Sequence, residues 1–145
     1  MNLIKLKQDL TNDEGRRNRA YPDPLTKGAP YTIGIGHAGV MIGTAWDDAK
    51  IDSAYESDVN AAMTGLDRIA PWWRGIGEVR GNVLLNMCFN MGPQKLAKFK
   101  KFLGAASRQD WVTAGAEMLN SDWAHQVGKR AVRLALEMQT GVFGS

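Results

Sequence analysis

Glu14, Asp23 and Thr32 are the residues of this chain whose types and spacing are best suited to chemistry. Leu3, Leu6 and Leu10 fall at helical spacing, and one further step of four residues from Leu10 reaches Glu14. The Glu14 carboxyl therefore leaves the expected helix on its apolar side, and it does so in the last turn, where the helix dipole presents partial negative charge. Desolvation and the dipole both favour the neutral acid. A carboxylic acid that keeps its proton can deliver it to a leaving oxygen, as in glycosidic bond cleavage. The alternative is an ordinary solvent-facing acid at a frayed helix end. Asp23 lies nine residues on, between Pro22 and Pro24, in a segment with little backbone freedom. A second carboxylate on a rigid turn can hold and activate water on the opposite face of a sugar. As a turn residue satisfying its own backbone, it would need no such role.

Thr32 belongs to the run Tyr31-Thr-Ile-Gly-Ile-Gly-His37, which alternates with period two and predicts a single strand. Thr32, Gly34 and Gly36 then share one face, a strip with little side-chain bulk on which a polymer could lie against backbone groups. Gly34 is accordingly a candidate substrate-binding position. Ile33, Ile35 and His37 face the other way, into the protein, and His37 is expected to pair with Asp58 of the following helix. A metal site is not expected, because His125 is the only other histidine and no ligand cluster surrounds either one. Gly34-Ile-Gly36-His-Ala-Gly39 matches GxGxxG literally. It does not open a helix within a βαβ unit, so a dinucleotide site is not expected either.

The elements that must carry these residues read as a first helix stopped at Gly15, the strand at 31–37, and helices thereafter. Thr44 with Asp47, or Asp52 with Glu56, offers a start for a long helix. Its stripe is Ile51, Tyr55, Val59, Ala62 and Leu66, and Pro71 ends it. Further helices are expected near 78–91, 95–104, 108–119 and 128–139, with Trp111, Trp123, Leu134 and Met138 between them. The plan is α+β, a small N-terminal β lobe beside a mostly helical lobe, with 1–145 forming one domain. The chain of 145 residues is 44% hydrophobic and 23% charged, the composition of a soluble globular protein. Its single cysteine, Cys88, lies in an apolar run and reads as a small core residue, which suits a reducing compartment. No secretory leader or membrane span is legible. The net charge of +3 is uneven: 8 basic and 10 acidic residues over 1–70 give −2, and 10 and 5 over 71–145 give +5. A basic C-terminal half suits an anionic polymer, or simply a solvated helical surface.

The motifs together resemble the phage T4-type lysozymes, the family 24 glycoside hydrolases. The resemblance rests on Asp13-Glu14-Gly15, Tyr21-x-Asp23 and the 31–37 run. It continues through Asp58-Val-Asn-Ala-Ala62, Asn86-Met-Cys-Phe-Asn-Met-Gly92, the segment from Trp123 to Arg133, and Gln139-Thr-Gly141. It implies a lysozyme-like fold with the active-site cleft between two lobes. The implied activity is hydrolysis of the β-1,4 bond between N-acetylmuramic acid and N-acetylglucosamine in peptidoglycan, with inversion and without a cofactor. Glu14 would be the acid, with Asp23 and Thr32 positioning water. His37 and Asp58 would form a structural ion pair, and Arg130 would approach the acid as a structural cation. Asn86 and Asn90 fall in the family's substrate-binding segment, where Asn90 replaces an expected glutamine. The spacing from Asp23 to Thr32 is longer than the family's, which lengthens the hairpin at 24–30.

The resemblance further implies an endolysin: a monomer that accumulates in the host cytoplasm, reaches the periplasmic wall once a holin has permeabilised the membrane, and binds no nucleic acid. Two rivals are a lytic transglycosylase, which would need Glu14 but not Asp23, and a non-catalytic binder of anionic polymer using the basic half.

Overall fold

The computed structural model describes residues 1–22 and 31–144. The expectations placed on Asp23 and on the hairpin at 24–30 lie outside the described residues. The chain divides into two compact units. One is Ile4–Ala61; the other joins Met1–Leu3 to the residues from Ala62 onward.

The first unit opens with α1, Leu3–Glu14, which ends at Gly15. Gly15 has φ +79°, and its N–H closes the last turn on the Thr11 carbonyl at 2.9 Å. Leu6 and Leu10 are buried, each stabilising the unit by about 1.5–3 kcal/mol. Leu3, assigned to the same stripe from the sequence, is instead 50% exposed. Three antiparallel strands follow in the order β1-β2-β3: Arg17–Pro22, Tyr31–Gly34 and His37–Val40. The single strand expected over 31–37 is thus two strands joined by a turn at Ile35–Gly36. Gly34 and Gly36 adopt φ +62° and +66°, a left-handed backbone that glycine enters without steric cost and that reverses the chain.

The long helix α2, Asp48–Ile69, starts one residue after Asp47, whose carboxylate accepts from the Lys50 N–H at 2.8 Å. Asp47 is therefore the cap, and Thr44 instead bonds the Met41 carbonyl within the preceding turn. Ile51, Tyr55, Val59, Ala62 and Leu66 are all buried, as their spacing predicts. Arg16 bridges the start of this helix, reaching Asp52 at 2.8 Å and Asp48 at 3.4 Å, with Lys7 also 3.4 Å from Asp52. The hydrogen bond from Arg16 holds the Asp52 carboxyl below the usual carboxylate range.

The second unit is helical among the described residues. After the C-terminal part of α2, a 3₁₀ turn at Trp73–Gly75 buries Trp73 completely, and its indole N–H donates to Asp67 at 2.8 Å. Helix α3, Glu78–Met91, is buried without interruption from Gly81 to Cys88, which makes it the centre of this unit. Asn82 on α3 exchanges two 2.9 Å hydrogen bonds with the backbone of Asn2. The helix expected near 95–104 is interrupted, giving α4 (Pro93–Leu96) and α5 (Lys100–Ser107). Then come α6 (Trp111–Leu119), α7 (Asp122–Val127) and α8 (Lys129–Thr140). Trp123, Leu134 and Met138 are buried as expected, whereas Trp111 is half-buried under the Arg80 guanidinium, 4.2 Å from its ring centre. Arg80 also donates to the Met138 and Gln139 carbonyls at 2.7 and 3.2 Å, closing the C-terminal end of α8. The fold class is α+β, mostly helical with one small antiparallel sheet. Among the described residues, no helix is long and apolar enough to cross a membrane.

Candidate active site

Glu14 is the last residue of α1, one helical step beyond buried Leu10, and it is half-buried. Its backbone carbonyl is among those a helix C-terminus leaves without an intrahelical partner. The Tyr21 hydroxyl of β1 donates to it at 3.3 Å. Tyr21 stands opposite Thr32 in the β1–β2 pair, and Thr32 in turn stands opposite Ala38 on β3. The sheet therefore links the helix end that carries the acid to the strand that carries the threonine. Gly36, at the β2–β3 turn, lies directly against the Glu14 side chain.

The open strip expected along Thr32, Gly34 and Gly36 is not present. Thr32 is 6% exposed, and Gly34 is buried beside Trp46 and Ile51. Burial runs unbroken from Thr32 through Ile35, because the turn at Ile35–Gly36 ends the alternation of a flat strand. His37 opens β3, and its Nδ1 lies 2.7 Å from Asp58 Oδ2, where the carboxylate accepts from the imidazole N–H. The Trp46 ring lies 5.3 Å from the His37 ring, and Lys50 lies 5.3 Å from the Trp46 ring centre. Trp46 is fixed by β1: its N–H donates to the Asn18 carbonyl at 2.8 Å, and its own carbonyl accepts from the Asn18 amide at 2.9 Å. Sequence reasoning passed over Trp46, although an aromatic just ahead of a helix cap was a visible signal.

The remaining candidates lie in the helical unit. Asn86 and Asn90 are one helical step apart on α3. Asn86 is 1% exposed, and its amide oxygen accepts from Arg130 Nε at 2.9 Å; Arg130 is itself 9% exposed. Asn90 is half-buried, and its amide oxygen accepts from the Trp123 indole N–H at 2.8 Å. Phe99 meets Trp123 edge to face at 6.5 Å. Asn86 with Arg130, and Asn90 with the Trp123 indole, thus pair polar groups taken into this interior, which offsets the cost of their desolvation. The candidates fall into two clusters: Glu14, Thr32, Gly34, His37 and Asp58 in one unit, and Asn86, Asn90 and Arg130 in the other.

Within the first cluster, a half-buried carboxyl on an anchored helix end has the setting of a proton donor or acceptor. The sequence profile of the phage lysozyme family matches residues 11–137, which takes in every candidate named above. A protein of Dictyostelium discoideum described as probable T4-type lysozyme 2 is 29% identical over 166 aligned positions, covering 96% of each chain. The pre-baseplate central spike protein Gp5 of Enterobacteria phage T4 is 29% identical over 95% of this chain but only 28% of its own length. A stretch of 60 positions is 45% identical to an endolysin of Lactococcus phage c2, covering 41% of this chain and 24% of that protein. The chain belongs to the phage lysozyme family and is a lysozyme-type glycoside hydrolase of peptidoglycan.

Proposed function

We propose that this enzyme hydrolyses the β-1,4 bond between N-acetylmuramic acid and N-acetylglucosamine with inversion, using Glu14 as general acid. The observation that carries the reading is Glu14 itself, a half-buried carboxyl at the anchored end of α1 within the segment matched by the family. In the proposed step, protonated Glu14 gives its proton to the glycosidic oxygen as the bond from that oxygen to the sugar C1 breaks. Water attacks C1 from the opposite face, and the Asp23 carboxylate accepts the proton that the water releases. Inversion needs the two carboxyls about 6.5–9.5 Å apart, leaving room for that water. Thr32, at 6% exposure, assists by orienting the water.

On the same reading, Asn90 belongs to the glycan-binding surface, while Gly34, buried beside Trp46 and Ile51, shapes the β2–β3 turn rather than touching sugar. Asn86, at 1% exposure, acts by holding Arg130 rather than by touching sugar. His37 and Asp58 support the β2–β3 hairpin. The enzyme works as a monomer on one folded domain, collects in the host cytoplasm, and lyses the host after a holin opens the membrane. The test is turbidity loss of permeabilised Gram-negative cells with wild type, Glu14→Gln and Asp23→Ala, combined with analysis of the cleaved ends. Reducing muramic acid formed first as the α anomer is expected, with Glu14→Gln nearly inactive and Asp23→Ala severely impaired. A 1,6-anhydro product would instead identify a transglycosylase, and full activity of Glu14→Gln would remove the acid assignment. Lysis of intact expressing cells without membrane permeabilisation would overturn the holin requirement.

A further inference from the structure

We propose that the turn at Ile35–Gly36 is a seat that aims the Glu14 carboxyl, with Gly36 as a positioning residue for the acid. A Cβ built on Gly36 would stand 2.9 Å from Glu14 Cδ and 3.0 Å from both Cβ and Cγ. The whole stem of the acid therefore lies against the side of Gly36 that any other residue would fill. The turn cannot easily yield. Ile33 and Ile35 beside it are 0% and 2% exposed, and the pairing of Ile33 with His37 closes the hairpin across it. The main chain of Glu14 is held at the same time by Tyr21. A glutamate has three rotatable side-chain bonds, and a proton donor works only within hydrogen-bond reach of its target, so a fixed stem contributes directly to the chemical step. The inference rests on Glu14 being the general acid, and it gives the glycine-rich run a task other than lying under the substrate.

Gly39 supplies the control. It also has a left-handed backbone, at φ +88°, but nothing lies within 4 Å of the Cβ position there. Gly36→Ala and Gly39→Ala share the backbone strain, and only Gly36→Ala pushes on Glu14. Initial rates on soluble peptidoglycan oligosaccharides should show kcat reduced about 10²-fold in Gly36→Ala, the loss expected for a misplacement of about 1 Å, with KM unchanged. Gly39→Ala should keep the wild-type kcat. Gly36→Asn guards against a folding defect, since asparagine accepts positive φ better than alanine. It should melt closer to wild type than Gly36→Ala does, yet its kcat should remain low. In a Glu14→Gln background, Gly36→Ala should not reduce the residual rate further. Equal kcat for Gly36→Ala and Gly39→Ala would overturn the seat while leaving Glu14 as the acid. So would recovery of kcat with stability in Gly36→Asn, or an undiminished effect of Gly36→Ala in the Glu14→Gln background. Wild-type activity in Glu14→Gln alone would overturn both the acid and its seat.

Discussion

Replacing Gly65 by alanine adds one methyl group to α2 at a point where the helical unit has no room for it. A Cβ there would stand 2.7 Å from Pro93 Cβ and 2.9 Å from Pro93 Cγ. Real Cβ contacts essentially never fall below 3.0 Å and ordinary contact begins near 3.4 Å, so the neighbours must give by a few tenths of an ångström at least. Pro93 is a rigid ring at the first position of α4, and relief has to come from movement of backbone. Overpacking of this kind costs about 1–3 kcal/mol, and the rigid partner puts this site in the upper half of that range. Against it stands the helix preference for alanine over glycine, about 1 kcal/mol. The net expectation is a loss of about 1–2 kcal/mol, or about 3–7 °C in Tm for a chain of this size. Gly104→Ala in α5 isolates the propensity contribution, because its nearest neighbour is the far end of Arg108 at 3.4 Å. That variant should gain about 1 kcal/mol. Thermal melts and urea titrations of both variants, with Pro93→Gly made alone and also added to Gly65→Ala to remove both contacting atoms, give the comparison. A Gly65→Ala protein as stable as wild type, beside a stabilised Gly104→Ala, would refute the packing argument.

Burial pushes the Cys88 thiol up to about 11, so the native protein should react slowly with thiol reagents at pH 8 and rapidly once denatured. Between about pH 9 and 11 the unfolded chain releases this proton while the folded chain keeps it. Stability must therefore fall as pH rises through that window, and Cys88→Ala should reduce the slope. Tyr55, pushed up to about 12 by burial, should continue the decline from about pH 10 upward. Asn86→Leu removes the acceptor of Arg130 Nε inside the helical unit and should cost about 1–3 kcal/mol in urea unfolding, despite the added apolar volume. Leu10→Ala opens a cavity beneath α1 and should cost about 2–5 kcal/mol by the same measurement, whereas exposed Leu3→Ala should change stability little.

The helices were legible where an apolar stripe repeats over several turns, as at α1 and α2, and α3 was legible as a long apolar run stopped at Gly92-Pro93. Thr44 and Asp52 both look like caps in sequence, and only the hydrogen bond from Lys50 shows that Asp47 fills that place. The six-residue helix α7 was not legible, because it is too short to show a period and begins at the side chain of Ser121. Trp73 escaped notice for a related reason: it is buried by a 3₁₀ turn just after Pro71, where no periodicity operates. The run from Thr32 to His37 misled because glycine alternating with isoleucine imitates a strand, while positive φ at Gly34 and Gly36 turns it into a hairpin. The half-buried position of Glu14 was readable from the stripe that it extends, and the pairing of His37 with Asp58 matches the geometry found. The contact of Gly36 with Glu14 was not readable, since it joins residues that only the closed hairpin brings together.

The uninterrupted burial of α3 from Gly81 to Cys88 also determines how the protein exchanges its amide hydrogens with solvent. A helix with one wet face can fray or open locally, and its amides then exchange without disturbing the rest of the molecule. A helix enclosed on every side has no such route, and its central amides exchange only when the surrounding helices come apart. The protection of Val83, Leu84 and Leu85 therefore reads out the stability of the whole helical unit. Amides at the exposed Met41–Ile42 turn report only their own local motion.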